Sequence, residues 1–413
     1  MNILVVSREA LFPTYGGHRE YLLSTIRQLS SLGNKITVVS WGPEDSYTYY
    51  ENNLNEKHFK SGGDKVMLKN SENFVPLKKA LSTLGVMQMK TILHHGIKAD
   101  RVSEFERYDL VLKNGPDSNT IGEYVAKKYG IPLVDRLDWV GLPYRTHNFK
   151  KWLDFLDEKY LPYQKLHTII DNQVTKFEAM NSAHSDFIYT HTQGDANKIS
   201  RYLHESKVSY ILPFLYRENN TNNLRDNCDL SNKLPKKYFL FYSSQGIDAD
   251  RAVKFIYIIS KKYPKINFIV TGSENFQNLH RENFKIFGKV KFQSFIEILR
   301  NSYLVIMPLI ESHGIQMKLI RAFSNGKAVL TTNSLINPID HIMQDEKNVF
   351  LNDSPEEFAK RIDYLNDDYG VVEKVSMNSY LTFQKNFSPE IHKNVLNKYF
   401  SEICNNSLKN YFK

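Results

Sequence analysis

Residues 303–330 read YLVIMPLIESHGIQMKLIRAFSNGKAVL. Tyr303 to Met307 is an unbroken apolar run, as in a strand buried on both faces of a parallel sheet. Pro308 ends the run, and a polar loop through Glu311, Ser312, His313 and Gly314 follows. Gln316 to Ser324 reads as a helix, Gly326 as its stop signal, and Ala328 to Thr332 as the next strand. The loop thus lies at the C-terminal edge of a parallel strand, where open α/β sheets bind ligands. Glu311 offers a carboxylate to a sugar hydroxyl. The backbone N–H groups of Gly314 to Gln316 suit a diphosphate, and Lys318 adds a positive charge.

The same alternation extends in both directions. Asn2 to Val6 is a buried strand, Ser7 to Gly17 a loop carrying Pro13 and Gly16-Gly17, His18 to Ser31 a helix, and Lys35 to Trp41 a strand. This βαβ unit points to a doubly wound α/β domain. Strands at Tyr108 to Lys113, Ile131 to Leu137, Asp186 to His191 and Val208 to Pro213 continue it. Arg217 to Lys237 is polar and Asn-rich, which reads as an interdomain linker or a long surface loop. Strands then resume at Tyr238 to Tyr242, Ile266 to Thr271 and Lys285 to Gly288, with helices at Asp250 to Lys262 and Phe292 to Asn301. Ser354-Pro355-Glu356-Glu357 is a capping box that starts a helix. The stretch after Ser388 is amphipathic and reads as a last helix. The expected organisation is a domain over 1–216, a linker over 217–237, a second domain over 238–378, and a trailing helix over 379–413 that packs back toward the first domain.

Composition narrows the function classes. The 413 residues are 41% hydrophobic and 24% charged, which excludes a largely disordered chain. Only two cysteines occur, Cys228 and Cys404, which excludes a disulfide scaffold and a Cys-based zinc or iron–sulfur site. The net charge of +9 favours anionic partners: phosphorylated ligands, anionic lipid heads or nucleic acid. The run Ile3 to Val6 lacks the basic start and length of a signal peptide, and no apolar run is long enough to span a bilayer. A cytoplasmic location is expected.

At this point the residues resemble a known family. Lys318 to Val329 is similar to the donor-binding motif of GT-B glycosyltransferases, in particular the large retaining family 4 (glycosyl transferases group 1). The family form is Lys-Leu-Leu-Glu-Ala-Met-Ala followed by Gly-x-Pro-Val-Val. Here Arg321 stands where the family has Glu, and Ala328 where it has Pro. Asn2 to Gly17 resembles the family's opening strand and Gly-rich loop. Tyr129 to Val134, Ser185 to Tyr189 and Asn348 to Ala359 resemble further family segments. The resemblance covers nearly the whole chain.

It implies an α/β fold of the GT-B type, with two Rossmann-like doubly wound domains facing across a cleft. It also implies a nucleotide-sugar donor on the second domain, a glycan or lipid-linked acceptor on the first, and no cofactor or metal ion. Lys318 and Arg251 would meet the diphosphate, Gly314 would let it approach, and Glu311 would lie near the donor sugar. His313 is the best placed histidine of that loop, while His18, His147, His184 and His191 read as structural or surface residues. Gly16 and Gly17 are either a phosphate-approach turn or a plain tight turn. Arg321 cannot accept a hydrogen bond as the family carboxylate does, so the nucleotide is held differently, or Glu311 has taken part of that role, or the site is degenerate, or Arg321 simply points to solvent or pairs with an acidic neighbour. Asp138 closes a strand at the ligand edge of the first domain, where it positions the acceptor, acts as a base, or caps a turn. Some relatives carry a His near this strand end, where this chain has Leu137.

Residues 74–101 (FVPLKKALSTLGVMQMKTILHHGIKADR) interleave Lys78, Lys79, Lys90 and Lys98 with apolar side chains. Such a stretch either lies on an anionic membrane surface, at the inner face of the cell membrane, or packs on its own domain with a solvated basic face. The leading expectation is a glycosyltransferase; the alternative is a non-catalytic GT-B-like glycan- or nucleotide-binding subunit. An epimerase would need acid/base residues, and a phosphorylase a pyridoxal lysine, that cannot be assigned. No RNP, zinc or basic-repeat motif supports a nucleic-acid partner.

Overall fold

The apolar runs become central strands of two separate sheets. The computed structural model describes residues 1–7, 17–42, 46–51, 54–60, 108–114, 119–160, 166–216, 234–243, 246–273, 275–276 and 278–411. In chain order the elements begin with β1 (Asn2–Ser7), α1 (Gly17–Ser31), β2 (Lys35–Gly42), β3 (Ser46–Glu51), β4 (Leu54–Lys60), β5 (Leu110–Asn114), α2 (Asn119–Tyr129) and β6 (Leu133–Leu137). Then come β7 (Tyr144–Arg145), α3 (Phe149–Phe155), α4 (His167–Ser182), β8 (Phe187–Thr190), α5 (Gln193–Ser200) and β9 (Val208–Tyr210). The second half holds β10 (Phe239–Tyr242), α6 (Ile247–Lys262), β11 (Phe268–Thr271), β12 (Phe284–Ile286), α7 (Phe292–Asn301), β13 (Leu304–Met307), β14 (Glu311–Ser312), α8 (Met317–Ser324), β15 (Val329–Thr331) and β16 (Phe350–Leu351). It closes with α9 (Pro355–Asp367), α10 (Tyr369–Asn386) and α11 (Pro389–Tyr411).

The chain divides into two units, one of 1–143, 165–213 and 389–413, the other of 144–164 and 214–388. The first holds an eight-stranded sheet in the order β3-β4-β2-β1-β5-β6-β8-β9. Every neighbouring pair is parallel except β3–β4. Ile3, Leu4, Val5 and Val6 are fully buried at its centre, opposite Ile36 and Val38 of β2 and Leu110 to Leu112 of β5. The second unit holds a six-stranded, all-parallel sheet in the order β12-β11-β10-β13-β15-β16. Buried runs such as FLFY, FIVT and LVIM form its middle, as expected of strands covered on both faces. Ser354 caps α9 by accepting a hydrogen bond from the Glu357 N–H at 3.3 Å.

Two boundaries differ from the sequence expectation. Residues 144–164, read as part of the first domain, belong to the second unit. The reason is that β7 pairs antiparallel with β14, and α3 drives Trp152 into the second core. Trp152 is fully buried, its ring lies 4.8 Å from Phe255 and 5.8 Å from Phe358, and its Nε1–H donates to the Asp353 carbonyl at 2.5 Å. The trailing segment breaks at Pro389 rather than 379, because α10 runs unbroken to Asn386 within the second unit. Only α11 joins the first unit, where Tyr399 and Phe400 meet the Tyr189 ring at 6.0 and 6.5 Å. Gly16, residues 217–233 of the expected linker and the basic stretch 74–101 lie outside the described residues. Among the described residues no helix is long and apolar enough to cross a membrane.

Candidate functional site

At the C-terminal edge of the second sheet, β10 ends in Tyr242 with Ser243 just after it, and β13 runs into the loop that carries Glu311 and Gly314. Lys318 projects from the first turn of α8, its Nζ donating to Ser243 Oγ at 2.9 Å. The Tyr242 hydroxyl donates to the Lys318 carbonyl at 2.6 Å, which fixes the start of α8 on β10. The Lys318 residue is half-buried and its ammonium is enclosed by protein atoms. Burial pushes its pKa down to about 8, against the opposing pull of Asp248. Gly272 keeps this edge tight. It has φ +86, and a Cβ there would sit 2.2 Å from the Ser243 carbonyl oxygen.

Arg251, from the second turn of α6, completes the edge. Its Nη1 lies 2.9 Å from Glu311 Oε2 and 3.5 Å from Asp248 Oδ1, and its Nε 2.9 Å from Glu158 Oε2. The other Glu311 oxygen, Oε1, lies 2.6 Å from Arg145 Nε of β7. Glu311 is thus the shared anion of two guanidiniums, both set near the Phe149 ring at 4.6 Å (Arg145) and 5.9 Å (Arg251). Burial lowers the Arg251 pKa, but Glu311, Glu158 and Asp248 outweigh it and the net shift is upward. The Asp248 carboxyl is raised, by burial first and by Glu311 second, with Arg251 and Lys318 opposing. The cluster therefore sets Arg145, Arg251 and Lys318 against Glu158, Asp248 and Glu311.

The structure brings Arg251, Glu311 and Lys318 of the sequence-predicted residues into this one cluster. Gly314 has φ +49, a left-handed conformation that lets the loop turn toward α8. His313 lies in the same loop, its carbonyl accepting from Gln316 Nε2 at 2.8 Å. Arg321 does not point to solvent: it is 4% exposed, its guanidinium lies 4.9 Å over the Phe292 ring, and burial pulls its pKa down to about 10. Gly17 opens α1 in the first unit. Sequence reasoning missed Arg145. Nothing in a two-residue strand announces its partner 166 positions away.

Asp138 follows β6 at the corresponding edge of the first sheet. Lys113, Asp135 and Arg136 are fully buried there. Lys113 Nζ lies 3.0 Å from Asp135 Oδ2, to which Ser182 Oγ donates at 2.5 Å. Arg136 donates through Nη1 to Asn114 Oδ1, lies 4.3 Å over the Tyr21 ring, and reaches Asp138 Oδ1 at 2.5 Å through Nη2. His191, at the end of β8, places Nε2 3.1 Å from the same oxygen and Nδ1 3.3 Å from the Ile211 carbonyl. Burial, with Arg136, lowers the His191 pKa more than Asp138 raises it, so the ring is neutral at pH 7. A neutral imidazole donates one hydrogen, to Asp138 or to the Ile211 carbonyl according to its tautomer. Read from the sequence as structural, His191 is in fact a neighbour of Asp138; its place at a strand's C-terminal end is the signal that could have flagged it. Asp138, with its side chain 17% exposed, is the point where this buried network reaches the surface. Among the described residues no three His, Cys, Asp or Glu side chains gather as a metal-ligand set.

The glycosyl transferases group 1 family model matches residues 246–368, the stretch that holds Arg251, Glu311 and Lys318. No curated protein matches the chain by sequence. Solved structures match its fold over nearly the whole length. Sucrose-phosphate synthase from Thermosynechococcus elongatus superposes with a TM-score of 0.67 at 12% identity, covering 97% of this chain and 98% of that one. Anabaena HepE, solved in complex with UDP and glucose, gives 0.62 at 13% identity, covering 97% and 99%. S. aureus TarM, solved as a single-residue mutant in complex with Fondaparinux, alpha-GlcNAc-glycerol and UDP, gives 0.62 at 11% identity, covering 98% and 99%. Two parallel-sheet α/β units give this chain the GT-B fold of these structures, and residues 246–368 of the second unit are similar to the glycosyl transferases group 1 family.

Proposed function

We propose that the chain transfers a sugar from a nucleoside-diphosphate donor, held by the second unit, to a hydroxyl of a glycan or lipid-linked glycan precursor held by the first. The observation that carries this reading is the ionic cluster at the C-terminal edge of the second sheet. There, Lys318 and Arg251 stand within a matched group 1 domain, beside the N-terminus of α8. A helix N-terminus with basic side chains suits a diphosphate. Transfer breaks the bond from the anomeric carbon to the diphosphate oxygen, forms one to the acceptor oxygen, and passes the acceptor's hydroxyl proton to a base, for which Asp138 is the candidate. Negative charge builds on the departing diphosphate, and fixed cations at that position stabilise it. In this reading Lys318, Arg251 and the amides around Gly314 supply that charge, without a metal ion. Glu311 meets the sugar hydroxyls, and Asp138 receives the acceptor hydroxyl. Retention at the anomeric carbon follows from the family resemblance. The complexes of HepE with UDP-glucose and of TarM with UDP support a uridine nucleotide as the first donor to try.

A panel of nucleotide-sugar donors tested against the purified chain, with released nucleoside diphosphate as readout, checks the reading. One donor should release its nucleoside diphosphate, and that nucleoside diphosphate should raise the melting temperature. No release from any donor, together with no thermal stabilisation, would leave a non-catalytic GT-B-like subunit as the better account.

A further inference from the structure

Arg145 belongs by sequence to the first half of the chain, yet β7 lays it directly across from Glu311 in register. Backbone pairing already fixes this ribbon: Ser312 pairs with Tyr144, and the Thr146 N–H donates to the Ile310 carbonyl at 3.0 Å. Burial of Trp152 anchors the helix that follows. β7 therefore has anchors other than the Arg145–Glu311 ion pair, whose side chains, 19% and 14% exposed, remain open to solvent in part. What the pair does is hold a guanidinium, stacked over Phe149 at 4.6 Å, at the loop that leads to Gly314 and α8. One carboxylate, Glu311, is shared between Arg145 and Arg251. A diphosphate carries more charge and more acceptor oxygens than that carboxylate, and guanidinium–phosphate contacts are among the strongest charge-assisted hydrogen bonds.

We propose that Arg145 is a ligand-binding residue of the second unit, a cation for the diphosphate of a nucleotide that Glu311 holds until the ligand takes its place. This rests on the reading of the second unit as a nucleoside-diphosphate site. On binding, Arg145 exchanges a carboxylate for a phosphate oxygen, and Glu311 is released toward the sugar.

The test uses two substitutions that break the same ion pair from opposite sides. UDP, ADP and GDP are titrated calorimetrically into the full chain and into the Arg145→Gln, Arg145→Lys and Glu311→Gln variants, at low and moderate salt. Circular dichroism checks that each variant is folded. Arg145→Gln should weaken the nucleotide that binds by about tenfold and flatten its salt dependence. Arg145→Lys should fall in between. Glu311→Gln, which removes the competing anion and leaves the guanidinium, should tighten binding by roughly threefold. If both glutamine variants weaken binding, or if Arg145→Gln leaves it unchanged, Arg145 is only a strut and the proposal is overturned. If none of the three nucleotides binds the unmodified chain, the diphosphate reading of the second unit fails first and the proposal fails with it.

Discussion

Lys318 links chemistry to pH more directly than any other residue of the cluster. Burial brings its pKa down to about 8 from 10.5. Because the folded value lies below the ordinary one, the unfolded chain holds this proton more tightly. Its contribution to stability is unfavourable below about 8, and that penalty is relieved as pH rises toward 10.5. Ligand affinity runs the other way. As pH rises through about 8 the ammonium is lost, and on the way Asp248, with its raised carboxyl, gains a negative charge. Both changes disfavour a diphosphate. Affinity for the cognate nucleoside diphosphate should fall by up to about tenfold between pH 7 and 9. Lys318→Arg, which stays charged throughout, should flatten the curve; an equally steep fall in that variant would remove Lys318 as its cause. The place of Lys318 at the strand edge was legible in the sequence, because the apolar run ending at Met307, the polar loop and the helix after it put it there. Arg321 was legible only as a departure: its burial over Phe292 depends on a neighbouring helix that no local pattern reveals. The place of His191 at the end of a strand was readable, but its contact with Asp138 depends on the pairing of β6 with β8.

At the scale of elements, the long apolar strands were readable and the two-residue ones were not. Runs such as LVIM or ILVV, rich in β-branched residues and bounded by turn signals, read as buried parallel strands, and their order along the chain announces two doubly wound sheets. The pairing of β7 with β14 has no such signature, since two residues show no periodicity. It nevertheless decides the unit boundary, because α3 follows β7 into the second core. Trp152 is the anchor of that insertion, with Phe255 and Phe358 against its ring and Asp353 accepting its N–H. Trp152→Ala should destabilise the second unit by about 3–5 kcal/mol. Hydrogen exchange should show lost protection in β10 and α9 and unchanged protection in β1 and β5. Equal loss in both sheets, or none, would mean that 144–164 is not built into the second core.

Across the whole molecule, two sheets present charged residues at the C-terminal ends of their strands, and they do so differently. The first edge is a buried network, Lys113, Asp135, Arg136 and His191, that reaches the surface at Asp138 and, through Lys113, at Glu123. Burying three such charges is costly unless each is paired, and here Lys113 pairs with Asp135 and Arg136 with Asp138. The second edge is a more open cluster in which carboxylates balance the cations. An incoming anion can compete with Glu311 there far more easily than it could with Asp135, which is fully enclosed. The excess of basic residues over the chain, +9 net, adds a general attraction for such an anion but does not select its place. The calorimetric affinity of the cognate nucleoside diphosphate for the Lys318→Ala chain tests the account most directly. A loss of about 1.5–3 kcal/mol, relative to the unmodified chain, is expected for a charge-assisted contact. Unchanged affinity in a folded variant would contradict a diphosphate site at the start of α8.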